Sequence, residues 1–350
     1  VIVIGGGPAG AAAALHLTPR VRVLVVEKDR SPREKPCGGA LSAKSLRELA
    51  TLGLLPLEGG LLHPLGISST TRFLFGSREV IHRHLPVPFV SRRELDGLLL
   101  RRAEERGAEV MRGARVMGLE VEDGECRIRV RREDEGGREE VFRAPVAIGA
   151  DGARGCTSLF FRNRGSPVAL ALEAPASRRG EEIEIFLEAR EGYAWYFPHF
   201  EGGQYGVFSR SPREALAAWQ RLSPRWPLSG PPRGRYIAAF PRPLLRGRLL
   251  LAGDAAGLAD PLTGEGIAQA LMSGRVAART ALDFLAGRGD LSSYPRRVTR
   301  ELGPFLGPSR LGARLGDGLF RLAVRVPWLL QAAWRRVVEG GGTSGLSSPR

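Results

Sequence analysis

The chain has 350 residues, 43% of them apolar, and a formal net charge of +15 carried almost wholly by arginine, since lysine occurs only at Lys28, Lys35 and Lys44. That length suits two intergrown domains, and no apolar run approaches the ~20 residues of a membrane-spanning helix. Cys37, Cys126 and Cys156 are scattered and odd in number, which argues against disulfides and cysteine-bound iron–sulfur or metal sites and for a reducing cytoplasm.

The arginine excess has two readings: a compositional bias, or attraction to anionic surfaces such as phospholipid head groups and diphosphates. No nucleic-acid module accompanies it, and the arginines run along the whole chain, so no nucleic-acid partner is expected. The chain opens without Met and directly in an apolar strand, with no charged leader; no signal peptide is expected, and a few residues are expected to precede it in the natural protein.

Val1 to Ile4 is a short β-branched run ending in glycines, the pattern of a central parallel strand. A small-residue helix over Ala9 to Leu17 and a second strand over Val21 to Val26 complete a βαβ opening. From Leu61 to Pro88 the pattern reads as irregular and proline-punctuated, an excursion from the first domain. Ser91 to Gly107 is a helix, with Ser91 as N-cap and Leu95, Leu98 and Leu99 on its apolar face. Val116 to Phe142 suits antiparallel hairpins around Gly124 and Gly136-Gly137, and Val146 to Ile148 is a short strand running into Gly149-Ala-Asp151-Gly152.

Residues 166–240 read as a mostly β insert with one helix near Pro212–Leu222. Leu249 to Ala252 returns to the buried-strand pattern, followed by a glycine-rich turn and a long helix through Ala286. The tail from Leu291 is helical with proline breaks, and disorder is expected from Gly340 on.

Gly5-Gly-Gly7-Pro-Ala9-Gly10 matches G-x-G-x-x-G between strand and helix. Gly5 permits the tight turn, Gly7 lets backbone approach a pyrophosphate, and Gly10 allows close helix–strand packing. The helix N-terminus then offers N–H groups and partial positive charge to phosphates. Glu27, ending the second strand, can accept from a ribose 2′-OH, which favours FAD or NAD over NADP.

Far downstream, Gly253-Asp254-Ala-Ala-Gly257 and Asp260-Pro-Leu-Thr-Gly264-Glu-Gly266-Ile267 lead into a helix. Asp254 can hold ribityl hydroxyls, or act as a simple N-cap. Gly264 and Gly266 allow backbone N–H groups to reach a flavin ring, and the helix dipole there favours the negative charge of reduced flavin. Asp151 can order water near the pyrophosphate or form an Asx-turn.

Together these segments resemble the geranylgeranyl reductase family within the hydroxylase-like FAD superfamily. Two further motifs carry the narrower likeness: Lys35-Pro-Cys37-Gly-Gly39-Ala-Leu-Ser42, similar to the family's cysteine-glycine segment beside the flavin, and Tyr193-Ala-Trp195-Tyr-Phe197-Pro198, similar to its Y-x-W-x-F-P signature. The family's following G-x-G is here Gly206-Val-Phe208, a departure that bears on local strand geometry and on the substrate. The resemblance implies FAD contacts at Ala9, Glu27, Cys37, Gly39, Arg92, Asp254, Gly266 and Ile267.

It also implies an α/β fold: a Rossmann-like FAD-binding domain from residues 1–60, 91–165 and 241–286, an inserted mostly antiparallel β substrate domain from 61–90 and 166–240, a helical C-terminal region at 287–339 and a disordered tail at 340–350. The implied activity is saturation of C=C bonds in a prenyl chain of a lipid, diphosphate or quinone. No second complete dinucleotide motif occurs, so the external reductant is expected to be a transiently bound NAD(P)H or a small electron carrier.

Tyr193, Trp195 and Phe197 alternate on one strand face, as an aromatic wall for a long apolar chain or as plain core. Cys37, near a helix start and Lys35, is either a proton relay or an inert buried thiol. The segment Leu311 to Val338 reads as an interfacial helix at the inner face of the cytoplasmic membrane or as packing on the flavin domain. The rival functions are an aromatic-ring monooxygenase, a flavin halogenase, an electron-transfer flavoprotein dehydrogenase, for which the cysteines are insufficient, and a non-enzymatic flavoprotein.

Overall fold

A computed structural model describes residues 1–30, 34–55, 61–122, 124–133, 136–161, 167–315, 331–332, 334–335 and 339. In chain order the elements are β1 (Ile2–Ile4), α1 (Pro8–Leu17), β2 (Leu24–Glu27), α2 (Ala43–Thr51), β3 (Pro64–Phe75), β4 (Arg78–Val90), α3 (Arg92–Glu105), β5 (Glu109–Arg112), β6 (Ala114–Glu122), β7 (Glu125–Arg132), β8 (Glu139–Ala144), β9 (Ala147–Gly149) and α4 (Cys156–Phe160). There follow β10 (Ala169–Ala176), β11 (Ile183–Phe186), β12 (Gly192–His199), β13 (Gly202–Ser209), α5 (Pro212–Leu222), β14 (Arg233–Ile237), β15 (Leu245–Arg246), β16 (Leu249–Leu251), α6 (Ile267–Leu285) and α7 (Tyr294–Leu315).

The strands form three sheets. The first runs β15-β16-β9-β1-β2-β5, parallel except for the β15–β16 pair. Its inner strands β1, β9 and β16 are buried along their whole length, as expected where helices cover both faces. β1 has β2 on one side and β9 on the other, so a crevice opens beyond its C-terminal end, where the crossovers part. The second sheet runs β14-β10-β13-β12-β11-β3-β4 and is antiparallel except for β11 against β3. β6, β7 and β8 make the third, a small meander.

Three expectations need correction. The stretch from Leu61 to Pro88 is not irregular: β3 and β4 form a long hairpin turned at Gly76 (φ +56°). Its prolines are tolerated because Pro64 opens a strand and Pro86 and Pro88 lie on β4, the sheet edge, where a missing N–H breaks no ladder bond. Within Tyr294–Leu315 the tail is not broken by proline either, for α7 carries Pro304 and Pro308 inside one continuous helix. The second strand starts at Leu24, after a turn over residues 18–20, and Ser91 occupies the N-cap of α3 without a side-chain hydrogen bond.

Candidate functional site

One cavity runs from the first helix of the parallel sheet to the face of the antiparallel sheet. At the first end stand Gly7, Pro8 and Ala9, opening α1; Asp254, Gly264, Gly266 and Ile267 enter from the loops before α6. Neither α1 nor α6 has a side-chain cap, and neither has an acid in its first turn. The first intrahelical bonds are Ala11 N–H to Gly7 and Ala270 N–H to Gly266, so the earlier N–H groups of both helices lack intrahelical acceptors. Two positive helix ends therefore open on one cavity, a cradle suited to a dinucleotide's phosphates and an anionic ring.

The glycines make this approach feasible. Gly5 has φ +100°, and a Cβ on Gly10 would lie 1.9 Å from the Gly5 carbonyl oxygen. Glu27 is buried and occupied: its Oε2 accepts the Gly6 N–H at 2.5 Å and its Oε1 the Asp29 N–H at 3.0 Å. The Gly264 N–H is engaged by the Asp260 carbonyl at 2.9 Å, which corrects its expected role, while Gly266 and Ile267 also line the cavity. Asp254 is not an N-cap, since its carboxylate faces Lys35 Nζ at 3.9 Å.

Asp151 is spent elsewhere. It accepts the Thr157 N–H at 3.0 Å, the Thr157 hydroxyl and the Cys156 thiol at 3.2 Å, anchoring the start of α4; Ala150 and Gly152, not Asp151, line the cavity. Gly5, Gly10 and Glu27 likewise act from outside the lining.

Cys37, Gly39 and Arg92 all reach the cavity. The Cys37 sulfur accepts the Gly39 N–H at 3.5 Å and is touched by the Arg92 guanidinium, the first residue of α3. Lys35, expected beside the thiol, points its ammonium at Asp254 instead. Burial pulls that ammonium down to about 7, Arg92 adding to the effect and Asp254 opposing it.

The opposite wall is aromatic. Tyr193, Trp195 and Phe197 share one face of β12, with ring centroids 5.9 and 5.6 Å apart. The Tyr193 hydroxyl donates to the Thr263 carbonyl at 2.5 Å, tying this wall to the loop before α6. Among the described residues the buried indole N–H of Trp195 has no hydrogen-bond partner. β13 pairs with β12 without a register shift, so Phe208 in place of a glycine leaves the strand regular; its ring packs 5.7 Å from Tyr193 and against Gly264.

Several cavity residues escaped the sequence reading. Glu265 accepts the Ser42 hydroxyl and the Lys44 ammonium, the latter at 2.6 Å, joining the cysteine-glycine segment to the α6 loop. Trp334 reaches the cavity from the C-terminal region, edge-on to Phe73 at 5.3 Å and donating to the Thr71 hydroxyl at 3.0 Å. Glu173 on β10 accepts the Cys37 N–H at 2.6 Å, and burial pushes its carboxyl up to about 7 against the hydrogen bonds from Cys37 and Gln204. A lone acid in the run Ala-Leu-Ala-Leu-Glu173-Ala-Pro-Ala was the signal available for it. Most of the segment Leu311 to Val338 lies outside the described residues.

Residues 1–160 match the FAD binding domain family. The chain is 31% identical over 302 residues to the geranylgeranyl diphosphate reductase of Rhodobacter capsulatus, covering 81% of this chain and 75% of that protein. It is also 31% identical over 328 residues to the digeranylgeranylglycerophospholipid reductase 1 of Methanopyrus kandleri, covering 85% and 84%. In fold it is similar to a geranylgeranyl bacteriochlorophyll reductase-like protein of Thermoplasma acidophilum, at TM-score 0.76 and 23% identity over 93% of this chain and 90% of the other. With the cradle, the cysteine-glycine segment and the aromatic strand all on one cavity, the chain belongs to the geranylgeranyl reductase family of FAD-dependent oxidoreductases.

Proposed function

We propose that this protein saturates C=C bonds of a prenyl chain, carried by a lipid, a diphosphate or a quinone. The observation that carries the reading is the continuity of the uncapped-helix cradle with the Tyr193–Trp195–Phe197 wall in a single cavity. In this reading the discontinuous flavin unit is residues 1–60, 91–165 and 241–286, and residues 61–90 and 166–240 hold the prenyl chain.

Bound FAD, once reduced by NAD(P)H or a small electron carrier, supplies hydride. The polypeptide does the rest. Ala9, Gly266 and Ile267 would hold FAD through backbone at the two helix ends, and Asp254 would accept from its ribityl hydroxyls. Glu27 fixes the turn at Gly6, while Cys37, Gly39 and Arg92 would lie beside the flavin. An isolated alkene offers no charge to stabilise, so rate must come from holding it in line and excluding water. Tyr193, Trp195 and Phe197 serve both ends, and the bond from Tyr193 to Thr263 keeps their wall fixed against the ring loop.

The test is anaerobic incubation of dithionite-reduced holoprotein with geranylgeranyl lipid, geranylgeranyl diphosphate, a chlorophyll side chain and a polyprenyl quinone, read by mass spectrometry. Two hydrogens gained per reduced bond are expected on at least one of them. Tightly bound FAD with no saturated product, and turnover appearing only when oxygen is admitted with an aromatic substrate, would turn the assignment to a monooxygenase. Membrane contact is checked by liposome flotation with and without residues 304–350; for a peripheral protein at the inner face of the cytoplasmic membrane, loss of flotation on truncation is expected.

A further inference from the structure

Alkene saturation needs a proton as well as a hydride, and the cavity holds a carboxyl placed to give one. Directly paired residues of neighbouring strands share a face, and the register runs Arg233, Glu173, Gly206, Trp195 across β14, β10, β13 and β12. Gly206 leaves a gap in that row, which the Trp195 indole fills: a Cβ there would lie 2.1 Å from its ring. Glu173 thus sits next to the aromatic wall on its cavity face, only 6% exposed.

Burial favours the neutral acid, against the bonds from Cys37 and Gln204 and the charges of Arg92 and Arg233. Arg92 is committed to Asp96 through two bonds of 2.8 and 2.9 Å, and Arg233 is committed to Glu34. Lys35 faces Asp254 and Lys44 faces Glu265. Among the described residues, no cation forms an ion pair with Glu173, whose Oε1 takes the Cys37 N–H. The Gln204 side chain also donates to the carboxyl.

Resting on the prenyl-reduction reading, we infer that Glu173 is the proton donor to the alkene. One alkene carbon receives hydride from the reduced cofactor, whose two-electron oxidation balances the step. The other receives the Glu173 proton, the carboxyl O–H breaking as the C–H forms. Solvent returns a proton to the carboxylate, and the external reductant restores the cofactor.

The experiment compares wild type, Glu173→Gln and Glu173→Asp as purified holoproteins. In anaerobic single turnovers, Glu173→Gln should saturate the prenyl substrate about 100-fold more slowly, within the range for a lost general acid, while flavin content and absorbance stay as in wild type. Glu173→Asp should recover part of the rate. The wild-type rate should fall as pH rises through about 7, and Glu173→Gln should lose that dependence. Independently of turnover, difference infrared spectra of oxidised holoprotein should show a protonated carboxyl band near neutral pH that Glu173→Gln abolishes. An unchanged rate and pH profile in Glu173→Gln would remove Glu173 from the chemistry even though prenyl reduction stands. Wild type inert towards every prenyl substrate sinks the prenyl reading instead, and the proton-donor assignment with it, whatever the infrared band shows. Active wild type without the band overturns the proton-donor assignment alone.

Discussion

On the parallel-sheet side the cavity is walled by Gly7, Ala9, Gly253 and Gly266, whereas the antiparallel sheet opposes them with Tyr193, Trp195, Phe197 and Phe208. The first wall works through backbone: helix ends and tight turns that tolerate almost no side chain. The second works through side chains on one face of a regular ladder, whose backbone is already satisfied by its neighbours. A substitution should therefore damage the two walls in different ways, one through main-chain collision and cofactor loss, the other through reshaped space.

The sharpest contrast is between Gly10→Ala and Gly206→Ala. At Gly10 the new Cβ meets the carbonyl oxygen of Gly5 at 1.9 Å, backbone that cannot move without parting α1 from β1. A cost of about 4–5 kcal/mol is expected, the large-effect class, with loss of flavin on purification. At Gly206 the Cβ meets the Trp195 ring at 2.1 Å, a side chain able to shift into the cavity. About 1–3 kcal/mol is expected there, with flavin retained and prenyl affinity reduced. Urea unfolding and flavin content measure both; flavin loss in Gly206→Ala and not in Gly10→Ala would break the contrast.

The same difference decides what could be read from the chain. A wall made of backbone demands glycine at fixed spacing, so Gly5, Gly7 and Gly10, and later Gly264 and Gly266, announced the cradle. The aromatic strand was visible as alternation at Tyr193, Trp195 and Phe197. Glu173 was not, because its place beside Trp195 depends on the pairing of β10 with β13, a register that local sequence does not specify. Asp151 and Gly264 were given ligand roles because a turn residue looks the same whether its groups face a ligand or close on Thr157 and Asp260. The hairpin of β3 and β4 was hidden because proline argues against a strand until the strand is known to be an edge.

Charged groups on α3 extend the comparison from buried to exposed. Arg92 and Asp96 form an i,i+4 pair with side chains 5% exposed, on the cavity side; Arg102 and Glu105, on the same helix, are 36% and 56% exposed. Arg92→Ala leaves Asp96 buried and unpaired and should cost about 3–5 kcal/mol. Arg102→Ala should cost below about 0.5 kcal/mol. Equal losses in urea unfolding would mean that the Asp96 carboxylate finds water or another cation once Arg92 is gone.

The last comparison is of slopes with pH, and the two walls should give opposite signs. Glu173 titrates at about 7 in the folded chain against 4.5 for the free group. Between those values the native state binds more protons, so stability falls as pH rises through that window. Lys35 titrates at about 7 against 10.5; there the unfolded chain binds more protons, and stability rises with pH above about 7. Each contribution is bounded at about 1.4 kcal/mol per pH unit, the value for one proton. Unfolding midpoints measured across pH should show Glu173→Gln losing the falling limb and Lys35→Met the rising one. A falling limb that survives Glu173→Gln would mean that its carboxyl ionises in the native state much as it does in water, and the antiparallel wall would then carry no stored proton.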